Sequence, residues 1–435
     1  MTKTLIATLA ALLTIPAFGQ NQSDPAVIAE MQKQIKDLQQ QVQTLKEGPP
    51  RDPESDGLMG QDFFKAKGLS FGFYGESKYR FPEAGRNSFD AHRYVLAPTY
   101  QINDWLIFNS ELELEHGGVD ESTSRGSRFN GELELEQFYV DILLHENFNI
   151  RSLGIDLVPV GRVNTIHEPT TFYSTERPEL YREIIPTTWM EPSIGAFGKI
   201  TDEMDYRVMV SVGAEDFSSR AAGAGFTAVD GARNARPRIR GGYDENSLAY
   251  SGRLHYHGIE GLDTSTSFYL TETRGFANSR TFVGLWDIEA LYRVRNTGLE
   301  LRGDFAYWHI AKPENLLANN DASMANNVGE QLYGWYLEAA YHFWPSAWKE
   351  GKGSGMDFVP FIRYSDIVTQ SRLRSGTKLG NGTANKRFLT LGVSWLLNPN
   401  VVLKADYRHN LDGSEASELQ GASQDYLQLG VGMFF

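Results

Sequence analysis

Gln424-Asp425-Tyr426-Leu427-Gln428-Leu429-Gly430-Val431-Gly432-Met433-Phe434-Phe435 alternates with a period of two. Leu427, Leu429, Val431, Met433 and Phe435 share one side of a strand, and Tyr426, Gln428, Gly430 and Gly432 share the other. An apolar strand left at the edge of a soluble sheet invites aggregation. The hazard disappears if the strand closes a barrel and its apolar side meets lipid. The same alternation would also serve a core strand at the end of a soluble β-sandwich, so the rest of the chain must choose between the two.

Working outward, the same period recurs from residue 61 onward. The first segment sets Phe71, Phe73, Tyr79 and Phe81 against Glu76, Lys78 and Arg80. The second sets Tyr94, Leu96, Tyr100 and Ile102 against Arg93, Thr99 and Gln101, and the third sets Leu106, Phe108, Leu112 and Leu114 against Asn109, Glu111, Glu113 and Glu115. The fourth, near 131–145, begins with Leu133 and Leu135 outward but then needs Phe138, Val140 and Ile142 outward, which predicts a bulge at Glu136-Gln137. Further segments lie near 154–166, 192–201, 204–214, 247–258, 263–273, 282–295, 298–310, 331–343, 357–369, 387–397, 400–410 and 424–435, giving sixteen in all. Their connections alternate. Asn103-Asp104, Thr201-Asp202-Glu203, Asn296-Thr297 and Asn398-Pro399-Asn400 are short, whereas 117–130, 167–191, 215–246, 311–330, 370–386 and 411–423 are long. Trp344 to Gly355 is the exception, a long connection on the short-turn side. Short turns on one rim and long loops on the other mark an outer-membrane barrel, and a sandwich has no reason to keep that parity.

Composition agrees. The 435 residues suit a large barrel, and a mean hydropathy of -0.38 is compatible with strands that hide apolar residues by alternation. Twenty Tyr and 25 Phe are enough for aromatic girdles at two interfaces. With no cysteine, thiol nucleophiles, disulfides and Cys-ligated metals are excluded, and a net charge of -14 argues against nucleic acid as a partner.

Residues 1–19 read as a secretory signal: Lys3, an apolar run from Leu5 to Phe18, and Ala17-Phe18-Gly19 as a small-x-small cleavage site. Residues 20–48 read as a helix, because Ile28, Met31, Ile35, Leu38, Val42 and Leu45 step by three and four. A periplasmic coiled coil is expected there; a lone amphipathic helix is the alternative. Residues 49–60 form the linker, and 61–435 the all-β transmembrane barrel.

By face, the lumen bases include Lys78, Arg80, Arg93, Arg253, Arg293, Arg302, Arg363 and Arg408, a partial ladder of anion donors. Acids oppose them, above all Glu111, Glu113, Glu115, Glu132, Glu134 and Glu136 on the third and fourth segments. Like charges facing each other destabilise a sheet, so this patch needs cations, water or lumen arginines. The acidic wall favours cation preference or weakly selective passage; pairing of bases with acids across the lumen is the structural alternative. His255 and His257 share a strand face, as a transition-metal pair would, but without a third ligand they read as wall residues. No nucleophile elbow, phosphate-cradling loop or metalloprotease motif is present, so an enzyme is not expected and no cofactor is implied.

The final aromatic resembles the insertion signal of bacterial outer-membrane proteins. The stretches Gly161-Arg162-Val163-Asn164, His167-Glu168-Pro169-Thr170-Thr171-Phe172-Tyr173, Ile185-Pro186-Thr187-Thr188-Trp189 and Gly195-Ala196-Phe197-Gly198 resemble the phosphate-selective porin O and P family. Pro360-Phe361-Ile362-Arg363-Tyr364 and Leu403-Lys404-Ala405-Asp406-Tyr407 extend the likeness over roughly 65–435. The resemblance implies a sixteen-stranded, homotrimeric outer-membrane channel for ions and small hydrophilic solutes, whose third long loop narrows the pore. Here that loop is 167–191, and its constriction charges would be Glu168, Glu176, Arg177, Glu179, Arg182 and Glu183. Two rival expectations remain: an envelope-tethering barrel whose helix grips the cell wall, and a barrel enzyme with a site at the rim.

Overall fold

The computed structural model describes residues 68–119, 131–214, 225–236, 247–274, 279–316, 328–374, 378–379, 382–412 and 425–435. The signal, coiled-coil and linker readings over 1–60 lie outside them.

Sixteen antiparallel strands close into one barrel. In chain order they are β1 (Leu69–Pro82), β2 (Ser88–Asn103), β3 (Leu106–Glu115), β4 (Leu133–His145), β5 (Phe148–Leu157), β6 (Met190–Thr201) and β7 (Met204–Val212), followed by β10 (Leu248–Tyr256), β11 (Leu262–Arg274), β12 (Arg280–Arg293), β13 (Leu299–Ile310), β14 (Gln331–Tyr341), β15 (Asp357–Ser371), β16 (Asn385–Asn398), β17 (Val401–Asn410) and β18 (Tyr426–Phe434). Between β7 and β10 a two-stranded hairpin, β8 (Gly225–Thr227) and β9 (Gly231–Asn234), stands apart from the barrel sheet. The opening stretch is the closing strand. β18 pairs with β17 on one side and β1 on the other, from Tyr74 opposite Phe434 to Pro82 opposite Tyr426. The seam ends in a reciprocal pair, Phe73 N–H to Phe435 O at 2.8 Å and Phe435 N–H to Phe73 O at 2.7 Å.

The outward faces are apolar and exposed. Leu112, Phe138, Phe268, Trp286, Ile288, Leu301, Leu337, Ile362, Leu391, Leu427 and Leu429 are left uncovered by the other described residues. A belt this continuous is the surface that hydrocarbon covers. Tyr292, Tyr341, Phe343 and Trp395 mark the short-turn rim, and Tyr79, Phe89, Tyr250 and Tyr407 the long-loop rim, where amphipathic rings suit the membrane interfaces.

The bulge falls where the face slip demands it. Glu111 pairs with Gln137 and Leu112 with Leu135, leaving Glu136 as the extra residue. One strand boundary needs correction. The segment expected at 154–166 runs instead from Phe148 to Leu157, after a turn at Glu146-Asn147. Val158-Pro159-Val160 leaves the wall, because Pro159 has no N–H to give a ladder.

The largest core lies inside the barrel. Val158, Val160, Val163, Leu180, Tyr181, Ile184, Ile185 and Trp189 of the β5–β6 connection pack on Tyr269, Val283, Leu285, Trp308, Leu332, Ile367 and Phe388 of the wall, with Phe226 of the hairpin. Trp189 lies 4.5 Å from Tyr269 with the rings tilted by 49°, and Trp308 lies 5.3 Å from Phe226 and 6.0 Å from Trp189, ring centre to ring centre. Burial of these aromatics holds the connection inside the barrel.

Candidate functional site

The β5–β6 connection, 158–189, folds inward and carries two single-turn helices, α1 (Arg162–Thr165) and α2 (Leu180–Glu183). It enters through Gly161, which has φ 73°; a Cβ there would lie 2.5 Å from Tyr181 Cε1. It then crosses to the closing strand, where Gly430 and Gly432 leave room for it. A Cβ on Gly432 would meet Pro169 Cβ at 2.6 Å, and one on Gly430 would meet Thr175 Cγ2 at 2.9 Å. The bare side of β18 is thus the bed on which the loop rests.

Polar side chains of the wall then grip the loop along its length. Arg93 Nη2 donates to the His167 carbonyl at 2.7 Å, and Arg302 Nη1 donates to that of Thr171 at 2.7 Å. Tyr173 donates its hydroxyl to Glu300 at 2.7 Å, with Arg302 stacked 4.2 Å above its ring. Arg363 Nη1 donates to Ser174 Oγ at 2.6 Å, Lys404 donates to the Ser174 carbonyl at 2.9 Å, and Thr175 N–H donates to Asp406 at 2.6 Å. Glu176 receives Lys78 at 2.8 Å and Arg80 at 2.7 Å. Glu179 accepts from Ser365 at 2.8 Å and faces Arg408 at 3.6 Å and Arg363 at 3.8 Å. Glu183 meets Lys386 at 2.7 Å, and Trp308 Nε1 donates to the Ile184 carbonyl at 2.7 Å.

The ladder of wall bases is therefore largely occupied with holding the loop. Three of the expected constriction acids, Glu176, Glu179 and Glu183, point at the wall. Glu168 is buried within the loop. Arg177 and Arg182 remain at the open side, Arg177 with Nη1 3.0 Å from Thr188 Oγ1. Elsewhere, Arg253 pairs with Glu289 across the β10–β12 wall, and Arg293, largely exposed at the short-turn rim, bonds Glu300 at 2.9 Å. Arg408 stacks on Tyr426 at 4.3 Å and Phe388 at 4.5 Å.

The acidic wall is graded. Glu111, Glu113 and Glu136 are buried, Glu115 and Glu134 are half-buried with Glu134 opposite Glu113, and Glu132 is exposed before β4 begins. Neighbouring groups supply part of the compensation this patch requires, while neither carboxylate oxygen of Glu136 has a hydrogen-bond partner among the described residues. Tyr74 Oη lies 2.9 Å from both Glu111 Oε1 and His167 Nε2, and Arg93 lies 2.8 Å from Glu76 and 3.8 Å from Glu113.

Electrostatics sorts the loop carboxyls. Burial alone would raise Glu176, but Lys78, His92 and Arg80 together hold it well below the usual range. Glu179 is lowered in the same way, against burial, by Arg363 and Arg408. Glu168 goes the other way: burial raises it, and the nearby arginines do not cancel that. Burial, with Arg177 and Arg93 close by, pushes His167 well below its ordinary value, so its ring is neutral and bridges Tyr74 to the Asn164 carbonyl.

Between the loop and the β1–β4 wall lies a cavity of about 460 Å³. One side presents Arg177, Arg182, Arg233 and Arg236 from the loop and hairpin; the other presents Glu113, Glu115 and Glu134. Lys78, Arg80, Arg408, Glu76, Asp90, Glu176 and Glu179 complete its charged lining, with His92 and His116. The hairpin arginines were missed in the sequence because the 215–246 connection reads there only as a long outer loop. The Asp230-Gly231 pair was the local turn signal.

No family model matches the chain. Among solved structures, Salmonella typhi OmpF in complex with daunomycin superposes with a TM-score of 0.55 at 12% identity, covering 86% of this chain and 99% of that one. The anion-selective porin of Comamonas acidovorans gives 0.50 at 13% identity, covering 84% and 99%. The trimer form of in-vitro folded Vibrio cholerae OmpT gives 0.50 at 8% identity, covering 84% and 99%. These likenesses show a porin-type barrel fold. An uncharacterized protein of Aquifex aeolicus (strain VF5) is 32% identical over 361 residues, spanning 78% of this chain and 75% of that protein. The chain belongs to the family of that Aquifex aeolicus protein, and its architecture is that of the bacterial outer-membrane porins.

Proposed function

We propose that the chain is an outer-membrane porin, a homotrimer in the outer-membrane lipid that passes ions and small hydrophilic solutes down their gradients and performs no chemistry. The observation that carries this reading is the infolded loop, which leaves a polar cavity bounded by arginines on one side and glutamates on the other. Charges of opposite sign across a narrow passage set up a transverse field. Such a field sorts solutes by charge, dipole and orientation. Basic and acidic side chains line the cavity in equal measure, which supports weak preference for either sign over strict phosphate selectivity.

A second reading, passage of anions including phosphate, draws on the row Arg177, Arg182, Arg233 and Arg236 and on the sequence resemblance to the phosphate-selective porins. Planar-bilayer recording of the purified, refolded chain tests both. Ion-permeable steps are expected, with a reversal potential near zero in a salt gradient. A reversal potential set by the anion, together with block by phosphate, would install the second reading. A silent bilayer would remove both. Chemical cross-linking in detergent, with a three-chain band expected, tests the trimer.

A further inference from the structure

The short-turn rim carries a group of side chains that the cavity does not use. His255 near the end of β10 and His257 just beyond it stand two residues apart, so both rings lie on the lumen face with their centres 5.3 Å apart. Asp205, the second residue of β7, is the register partner of His255. The sequence offered the histidine pair; the barrel supplies the third side chain.

The hydrogen bonds of the two rings fix what the group can do. His255 Nε2 lies 3.0 Å from Asp263 Oδ1, and His257 Nε2 lies 3.1 Å from the Asp202 carbonyl oxygen. A carboxylate and a carbonyl only accept, so each Nε2 carries a proton, and each Nδ1 becomes a lone-pair donor on giving up its proton to a metal. Both Nδ1 atoms face the same oxygen, Asp205 Oδ2, at 3.7 Å from His255 and 3.5 Å from His257. Asp205 is 8% exposed, and that oxygen accepts no hydrogen bond. Three lone-pair donors, all within 4.8 Å of one another, therefore converge. A tetrahedral zinc with bonds of ~2.0–2.1 Å holds its ligand atoms ~3.3–3.5 Å apart, so only a small contraction is required. Asp263 behind His255 is the carboxylate that orients a metal-binding imidazole and raises its basicity. His257, with its side chain 41% exposed, leaves an approach for water as a fourth ligand.

We propose that Asp205, His255 and His257 form a binding site for a divalent first-row transition-metal cation such as Zn2+, on the lumen side of the short-turn rim. The site is independent of whether the barrel conducts. It takes Zn2+, Cu2+, Ni2+ or Co2+ in preference to Mg2+ or Ca2+, because two of its three donors are imidazole nitrogens.

The test is a Co2+ titration of the full chain refolded in detergent. A second histidine cluster, Asp90, His92 and His116, is silenced by carrying His92→Ala and His116→Ala throughout. The expected result is one Co2+ per chain, with the strong visible absorption of a tetrahedral nitrogen–oxygen set, displaced by Zn2+. Asp205→Asn and His257→Ala should each weaken Co2+ at least tenfold, and Asp263→Asn about tenfold through its hold on His255. Heat-modifiable migration on a gel confirms that each barrel is folded. His257→Ala, at an exposed position, keeps the test open if the buried Asp205 variant fails to fold. No saturable Co2+ binding, or binding that neither Asp205→Asn nor His257→Ala changes, would overturn the proposal and leave the rings as protonated partners of Asp205.

Discussion

Lys386 of β16 holds Glu183 of the infolded loop, Nζ to Oε2 at 2.7 Å, with both side chains more than nine-tenths buried. The same ammonium donates to the Val229 carbonyl at 2.7 Å, so one wall residue ties both the loop and the hairpin. Removing one partner of a buried pair strands the other charge and costs about 3–5 kcal/mol. Lys386→Met is expected to release α2 without opening the barrel. Hydrogen exchange should show lost protection over 180–186 with the strands unchanged, and single-channel conductance should rise. Lys386→Met combined with Glu183→Leu should restore much of the protection. Full protection in the single variant would refute the anchoring role.

Glu168 sets a pH dependence of opposite sign to the paired acids. Its folded-state pKa is raised, so between the unfolded value of about 4.3 and the folded value the native state binds more protons. Stability from this group is greatest in acid and falls as pH rises through that window. Glu168→Gln should raise the urea midpoint at pH 7–8 and change little at pH 4. A lower midpoint at neutral pH would mean that the charged form is the one the loop needs.

His342, at the short-turn rim, behaves as a base held charged. Its Nδ1 lies 2.5 Å from Asp357, its Nε2 lies 3.9 Å from Glu300, and the hydrogen bond to Asp357 together with the nearby Glu300 carboxylate raises its pKa to about 9. The stabilisation is complete below the unfolded value of about 6.5 and is lost as pH rises through about 9. Wild type should therefore lose stability between pH 7 and 10 by a component absent in His342→Gln. Parallel curves for the two proteins over that range would count against it.

Arg177 and Arg182 are the loop arginines left facing the cavity. Alanine at either should move the reversal potential toward cation preference, and alanine at both should move it further. Arg236→Ala, from the hairpin side, should act in the same direction, although its Nη1 also bonds the Thr187 carbonyl at 2.8 Å. Glu134→Gln should act in the opposite direction. Unchanged selectivity in the two loop variants would place the passage elsewhere.

Strand number, facing and parity were all legible, because lipid on one side and water on the other write themselves into alternate residues. The slip at Glu136 was legible for the same reason: Leu135 and Phe138 cannot both face outward without an extra residue between them. The role of the loop acids was not legible. Glu176 and Glu179 look alike as free constriction charges until Lys78, Arg80 and Arg363, far away in sequence, are brought to them. The apolar lumen was half-written. Thr281-Phe282-Val283-Gly284-Leu285-Trp286 is apolar on both faces, the mark of a strand covered twice, and the second cover proved to be Trp189 and its loop. Val158 and Val160 imitate a strand because a buried loop and a buried strand draw on the same residues. Only Pro159 told against it.

The reciprocal bonds between Phe73 and Phe435 also carry a consequence for biogenesis. The ring cannot shut without β18, so any form lacking that strand leaves β1 and β17 as two unpaired edges. Deleting β18 should therefore yield an aggregation-prone chain rather than a smaller closed barrel.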